Sequence, residues 1–350
     1  MTLPELPTLA REIQLERDSS GAYGWRLVQA ALPVVSDTQV LVKVGAASIQ
    51  RGDVEVSEML NSVFGVTDDL TGQIGGSDAA GDVVRVGASV RSVAVGDKVV
   101  SQFFSNYVDS PLRDDVLAYS HGWTLDGVFG DYVVLEETGV SPMPRHLSFE
   151  EASTLPSSAL TAWAATGMGQ SIKPGDTVLV QGTGGVSAFA IQFAVAQGAR
   201  VIVTSSSDGK LEKMSRLGAQ AGINYRENPD WASRVLELTD GRGADLVLDM
   251  GGRSTMEGSL KSLAREGTLA LVGGLGGYDA TLPTYELISK GATARGVIAA
   301  SRAEFVRMVA FMEQHDIHPV IERVYDFADF QQAMRQLESG DFIGKLVLRL

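Results

Sequence analysis

Three glycines, Gly182, Gly184 and Gly185, stand between an apolar run, Thr177 to Val180, and an apolar stretch from Val186 to Gln197. The first run has the β-branched character of a buried strand, and the second reads as a helix closed by Gly198. A further apolar strand follows at Arg200 to Thr204. Strand, glycine turn, helix and strand make a βαβ unit. Gly182 permits the tight turn, while Gly184 and Gly185 let backbone N–H groups approach a diphosphate at the helix N-terminus. The segment Gly182, Thr183, Gly184, Gly185 and Val186 is therefore a candidate dinucleotide cradle. The final position of the pattern is Ser187 rather than glycine, so the flanking strands carry the assignment.

Other reactive residue types are sparse. The sequence holds no cysteine, which removes disulfides, thiolate metal sites and cysteine nucleophiles. His315 and His318 stand three apart at a helix end with no third ligand in sight, so no metal site is expected there. The formal net charge of -14 over 350 residues argues against nucleic acid or an anionic membrane as partner. An anionic ligand must then be held by a local device. No run reaches about 18 apolar residues, and the start has no basic region followed by an apolar core. A cytoplasmic protein without a signal peptide is the expectation.

The elements that must position these residues come in two rhythms. From 11 to 150, short apolar runs such as Gln39 to Val44, Ala80 to Val86, Lys98 to Val100 and Gly127 to Leu135 are separated by Gly and Asp turns, a barrel-like pattern. Near 150 the pattern changes. Ser148 and Glu151 form a capping box opening a helical region through Thr166, interrupted by Pro156. Strands are then expected at 177–181, 200–205, 221–224, 245–249, 268–272 and 293–298, as a doubly wound parallel sheet requires. After 298 come a helix (302–315), a strand (320–325), a helix (327–339) and a strand (345–350).

This order and several motifs resemble the medium-chain dehydrogenase/reductase superfamily over essentially the whole length. The resembling stretches are 44–53, 75–87, 95–99, 151–163, 180–186 and 344–348. The resemblance implies an α/β protein: a GroES-like β-rich domain at 1–150 with 299–350, and a Rossmann NADP(H)-binding domain with a doubly wound parallel sheet at 151–298. It implies hydride transfer with a nicotinamide cofactor in a cleft between the domains, and a homo-oligomer. Zinc members carry Cys, His-Glu and Cys or Asp as catalytic ligands. The matching positions look like Gln50, Ser77-Asp78 and Ser157, of which Asp78 alone is a plausible ligand, too few for tetrahedral zinc. The four-cysteine lobe is replaced by 103–126. The resemblance is thus to the zinc-independent quinone and enone reductases or zinc-free alcohol dehydrogenase-like members.

NAD sites place a carboxylate at the end of the second strand to bond the ribose 2′-OH. Here Ser205 and Ser206 occupy that place, followed by Ser207 and Asp208, with Lys210 the nearest cation. Hydroxyls and a cation suit a 2′-phosphate, so NADP(H) is expected. A serine-rich turn capping the helix from Lys210 to Leu217 is the plainer reading. Tyr225 matches a family tyrosine near the 2′-phosphate, with Arg226 a further candidate. Strand ends add Gly251 and Gly252, then Gly273, Gly274 and Leu275, although a glycine after a strand is commonly a turn. The family places Val297, Ile298 and Ala299 near the nicotinamide, Thr161 near its ribose and Lys345 near the cofactor.

In this branch hydride reaches the β-carbon of an α,β-unsaturated carbonyl, or a quinone. The enolate oxygen then needs a donor and the α-carbon a proton. Gln50, at the position of the family's asparagine, is the candidate donor. Asp53 matches a family aspartate expected to orient neighbouring backbone, or serves as N-cap for a helix through 54–60. Phe103, Phe104, Tyr107, Tyr119, His121 and Trp123 suit a flat conjugated substrate, with Tyr107 or Tyr119 as proton donor; equally they form a satellite core in place of the zinc lobe. The expected partner is a small electrophile (enone, quinone or carbonyl). Two alternatives stay open: a zinc-free NADP-linked carbonyl reductase or alcohol dehydrogenase, and a non-catalytic NADPH-binding homologue. A homodimer is expected through an apolar strand such as 293–298.

Overall fold

The computed structural model describes residues 6–20, 22–54 and 69–350. The chain forms two units, Met1–Ser157 with Ser301–Leu350 (unit 1) and Ser158–Ala300 (unit 2). The helix expected over 54–60 lies outside the described residues apart from Val54.

Unit 1 is built on strands. A hairpin of β1 (Leu9–Arg17) and β2 (Tyr23–Ala31) precedes a larger sheet made by β3 (Gln39–Ile49), β4 (Asp78–Val86), β5 (Lys98–Ser101), β6 (Tyr132–Glu136) and β7 (Val140–Pro142). Two strands that follow unit 2 in the chain, β14 (Ile321–Asp326) and β15 (Lys345–Arg349), join the same sheet. Its order is β14-β15-β3-β4-β5-β7, with β6 also on β3. The long β3 serves two neighbours along one edge: residues 39–43 pair with β6 and residues 46–49 with β15. Gly45 marks the changeover, where an added Cβ would overlap the Phe149 ring. The core beneath includes Ile13, Phe129, Leu135, Phe327, Phe330 and Leu346; a fully buried Phe or Leu contributes roughly 1.5–3 kcal/mol.

Gly127 to Phe129, expected within a strand, precede β6 instead. Their amides bond the backbone of Ile74, Gly75 and Gly76, and Ile13 bonds Phe129. Phe129 is thereby driven under Gly76, whose φ of 79° and whose contact with that ring leave no place for a side chain.

Unit 2 carries a six-stranded, wholly parallel sheet: β8 (Thr177–Gln181), β9 (Arg200–Ser205), β10 (Ala221–Asn224), β11 (Ala244–Asp249), β12 (Leu263–Leu271) and β13 (Thr293–Gly296). The spatial order β10-β9-β8-β11-β12-β13 is two βαβαβ halves diverging from β8 and β11. All five residues of β8 are buried, as a strand covered on both faces requires. The sheet meets the expected doubly wound fold, with boundaries that differ by more than one residue in two strands. β12 starts at Leu263 rather than 268, because a bulge at Glu266 (φ 60°) joins two short runs. β13 stops at Gly296, and Ala299 adopts a φ of 54° shortly after.

The capping box at Ser148 and Glu151 is formed, opening the helix Phe149–Ala152. Pro156 sits in a π-helical turn, Leu155–Ala159, before the helix Leu160–Ala165. Among the described residues no helix is long and apolar enough to cross a membrane.

Candidate active site

Sheet register gathers the polar residues of unit 1. Asp78, first in β4, pairs with Ser48 in β3. Leu346 of β15 pairs with Ile49, which sets Lys345 beside Gln50. Ser101 of β5 fixes the approach to β4: its hydroxyl donates to the Ser77 carbonyl at 2.7 Å, and the Ala79 amide donates to it at 2.9 Å. Ser157 arrives from the π-helical turn.

The side chains form one continuous network. The Gln50 Nε2 donates to Ser77 Oγ at 2.6 Å, and Ser77 Oγ donates to Asp78 Oδ1 at 2.6 Å. The other carboxylate oxygen accepts from Ser157 Oγ at 2.5 Å, with Ser48 Oγ at 3.5 Å. Lys345 Nζ lies 3.9 Å from the same Oδ2. Beneath them, the Gln50 amide N–H donates to Asp53 Oδ2 at 2.7 Å, and the Trp25 indole N–H bonds the Asp53 carbonyl at 2.6 Å. Ser48, Asp53, Ser77, Asp78 and Lys345 are buried, whereas Gln50 and Ser157 are half-buried. Apart from the half-buried Trp25 ring, the network therefore reaches the surface of unit 1 through an amide and a hydroxyl.

Burial dominates its electrostatics. It pushes the Asp53 carboxyl up to about 7; the Gln50 N–H opposes that rise, the Asp78 charge adds to it and Lys345 works against it. Burial likewise holds the Lys345 ammonium below the usual lysine range, opposed by Asp78 and Asp53.

The positions matched to zinc ligands in the superfamily do not fit that metal. Gln50, Ser77, Asp78 and Ser157 are hydrogen-bonded to one another, and the single carboxylate already faces an ammonium. Among the described residues no group of three or more His, Cys, Asp or Glu side chains is placed to hold a metal ion. His318 bonds Glu151 Oε1 at 2.7 Å, and His315 packs on Phe311.

Unit 2 presents the glycine edge. Gly182 has a φ of 76°, and the turn is tied back by Gly182 N–H to the Thr204 carbonyl at 2.8 Å. Gly184 precedes the helix Gly185–Ala196, which has no side-chain cap and no acidic residue in its first turn. A Cβ at Gly184 would meet nothing within 4 Å. Protein packing thus does not require glycine there, and the open space leaves room for close approach by a ligand. Thr183 and Val186 flank it. Ser187 is occupied, donating to the Gln181 carbonyl at 2.8 Å. The residues fit a nicotinamide dinucleotide, with the diphosphate at this helix end.

At the end of β9, Ser205 is buried and its Oγ accepts from the Ser207 amide at 3.3 Å, while Ser206 and Lys210 are half-buried. Asp208 Oδ1 accepts from Asn224 Nδ2 at 2.9 Å. Tyr225 is exposed, its amide bonded to the Ser205 carbonyl at 3.0 Å. The helix here spans Asp208–Ser215, two residues earlier than expected at each end, and Ser207 gives it no side-chain cap.

The remaining glycines have packing reasons of their own. A Cβ at Gly251 would overlap Thr255, at Gly273 it would approach the Met250 carbonyl at 3.0 Å, and at Gly274 it would meet the Tyr278 ring. Leu275 and Ile298 are exposed, and Thr161, Val297 and Ala299 half-buried.

Tyr107 is not bonded to the Gln50 network; burial raises its hydroxyl pKa, opposed by Ser110. In the aromatic stretch Phe103 packs edge-on against Phe104 and Trp123, and Trp123 fills the space at Gly52. The Ser77, Asp78 and Ser157 set, as an assembled network, escaped the sequence reading. Its one signal was a carboxylate among hydroxyls at the positions that match the ligands of the superfamily's zinc members.

Family models describe both parts of the chain: "Alcohol dehydrogenase GroES-like domain" matches residues 36–145 and "Zinc-binding dehydrogenase" matches residues 185–314. A zinc-type alcohol dehydrogenase-like protein of Schizosaccharomyces pombe is 40% identical over 319 residues, covering 89% of this chain and 91% of the relative. The crystal structure of a putative alcohol dehydrogenase from Sinorhizobium meliloti 1021 superposes with a TM-score of 0.90 at 33% identity, covering 99% and 100% of the two chains. A 2-octenoyl-CoA carboxylase reductase, solved with NADP and 2-octenoyl-CoA, has a TM-score of 0.86 at 26% identity, covering 99% of this chain and 88% of that one. The matched family models and the 40% identical relative define an oxidoreductase. The chain belongs to the medium-chain dehydrogenase/reductase superfamily.

Proposed function

We propose that this chain is a zinc-independent, NADPH-dependent reductase that delivers hydride to an α,β-unsaturated carbonyl or a quinone. One observation carries the reading: the half-buried Gln50 amide is fixed on Ser77 through one N–H, and its second N–H is a preorganised donor for a carbonyl oxygen. An oxyanion donor of this kind is worth about 2.7–4 kcal/mol in the transition state. When bound, the reduced nicotinamide supplies the hydride. The residues of the chain hold it and handle oxygen charge and proton. The 2-octenoyl-CoA and NADP bound by the reductase relative support the substrate class and the cofactor.

Preference for NADPH is supported at the end of β9. The carboxylate nearest the hydroxyls, Asp208, is engaged by Asn224, and Ser205, Ser206 and Lys210 offer a 2′-phosphate bonds that a 2′-OH needs less. A homodimer is part of the reading, since β13 is an edge strand with one partner; a monomer by light scattering would end that part.

A second reading has its own support. Ser157, hydrogen-bonded to Asp78, presents an acceptor oxygen, which suits the hydroxyl of an alcohol in a carbonyl/alcohol pair. Stopped-flow oxidation of NADPH and of NADH against quinones, enones and aldehydes, with EDTA present, separates the two. Turnover of enones or quinones with NADPH, insensitive to chelator, is expected; turnover confined to aldehydes, or loss with EDTA, would overturn the reading.

A further inference from the structure

We propose that Ser157 hands the proton to the reduced substrate, with Asp78 and Lys345 as the buried line that supplies it. The inference rests on the hydride-transfer reading above and adds to it the proton donor.

Three geometric facts carry it. Ser157, like Gln50, is a half-buried member of the network, whereas Ser48, Asp53, Ser77, Asp78 and Lys345 are buried. Its Oγ lies 2.5 Å from Asp78 Oδ2, and that same oxygen faces Lys345 Nζ at 3.9 Å. Lys345 Nζ is buried and has no hydrogen-bond partner among the described residues, so none of them commits its N–H groups to holding structure. A buried ammonium without hydrogen bonds is disfavoured in its charged form. It is accordingly a ready source of a proton. Asp78 cannot swing away, because Ser77 holds its other oxygen at 2.6 Å.

The step balances. After hydride addition the substrate carries a negative charge. Lys345 Nζ–H passes a proton to Asp78 Oδ2 as the gap closes by about 1 Å to hydrogen-bond distance. The hydrogen that Ser157 Oγ donates to Asp78 Oδ2 in this structure turns to the substrate and goes to the α-carbon of the enolate, while Asp78 passes its new proton to Ser157 Oγ. The product is neutral, Asp78 is again a carboxylate, Ser157 is again a hydroxyl, and Lys345 is left as an amine that water reprotonates. Ser157 touches the substrate; Asp78 and Lys345 act through it. Gln50 holds the carbonyl oxygen meanwhile, so donor and acid come from two half-buried members of one rigid network.

The test uses the full chain with NADPH and a prochiral enone in D2O. The parent is expected to place one deuterium on a single face of the α-carbon. Ser157→Ala is expected to lose about a hundredfold or more in kcat, to keep its NADPH affinity by fluorescence titration, and to label both faces because bulk water now supplies the proton. Ser157→Thr is expected to recover most of the rate and the facial selectivity. Ser157→Ala with unchanged rate and selectivity would overturn the relay while leaving the reductase reading intact. A parent that reduces no member of the enone and quinone panel would overturn the reading, and the relay with it. Should Ser157→Ala melt before assay, the parent decides: label on both faces refutes an internal donor.

Discussion

Lys345 Nζ stands 3.9 Å from Asp78 Oδ2, with both side chains buried, and no hydrogen bond closes the gap. Such a pair is held by charge and by what surrounds it rather than by directed bonds. Breaking it from one side leaves a buried charge without compensation, which typically costs about 3–5 kcal/mol. Lys345→Met is therefore expected to melt well below the parent. Lys345→Met with Asp78→Asn is expected to regain part of that loss, because the uncompensated carboxylate is gone. Urea unfolding of the two single variants and the double variant measures the coupling; strict additivity would show that the pair does not interact.

Asp53 gives a pH dependence with a definite sign. Its folded pKa of about 7 lies above the unbound carboxylate value of 3.8. Between those values the folded chain keeps a proton that the unfolded chain has lost, so stability falls as pH rises from about 4 to about 7 and is flat beyond. Three pKa units correspond to at most about 4 kcal/mol. The neighbouring Lys345 is shifted down, which acts in the opposite sense: its burial penalty is relieved as pH rises toward 10.5. Asp53→Asn, which can still accept the Gln50 N–H, should melt above the parent at pH 8 and match it near pH 4.5. Parallel melting curves across that range would refute the shift.

Gly184 separates ligand approach from packing. Its φ of -74° and ψ of -172° suit any residue, and a Cβ there has open space. Gly184→Ala is expected to leave the melting temperature unchanged or slightly raised while weakening NADPH binding by about tenfold or more, or ~1.4 kcal/mol. Gly274→Ala, whose Cβ meets the Tyr278 ring at 2.5 Å, should instead lower the melting temperature. Calorimetric titration beside thermal melts reads both effects.

Lys210 sits in the first turn of the helix beyond Ser205 and Ser206. A charge-assisted bond to a 2′-phosphate is worth about 1.5–3 kcal/mol. Lys210→Ala should therefore raise the dissociation constant for NADPH by about tenfold or more and leave that for NADH unchanged. Equal weakening of both cofactors would place Lys210 outside the 2′-phosphate site.

The parallel sheet was legible because its physics is local. β8 is apolar at every position but its ends, the glycines follow at once, and each βαβ step has one allowed hand. The bulge at Glu266 was not, since a lone residue with positive φ carries no composition signal. Gln50, Asp53 and Lys345 drew attention separately, each through the resemblance. That Lys345 is buried beside Asp78 depends on β15 pairing with β3 in one register, a fact settled by packing hundreds of positions away in sequence. Ser157 depends on a π-helical turn around Pro156, where the pattern announced only an interruption.

The interleaving of β15 between β14 and β3 also has a kinetic consequence. On a ribosome, β3, β4 and the helical turn Arg51–Val54 between them emerge first, and the buried Asp53 and Asp78 must wait for the whole of unit 2 to be made before the cation that matches them exists. Unit 2, whose strands neighbour one another within a short span of chain, can fold in the meantime, whereas unit 1 must hold one edge of β3 open to receive its latecomer. An unpaired strand edge beside two unmatched acids is the state in which a chaperone would find this protein, and the arrival of Lys345 ends it.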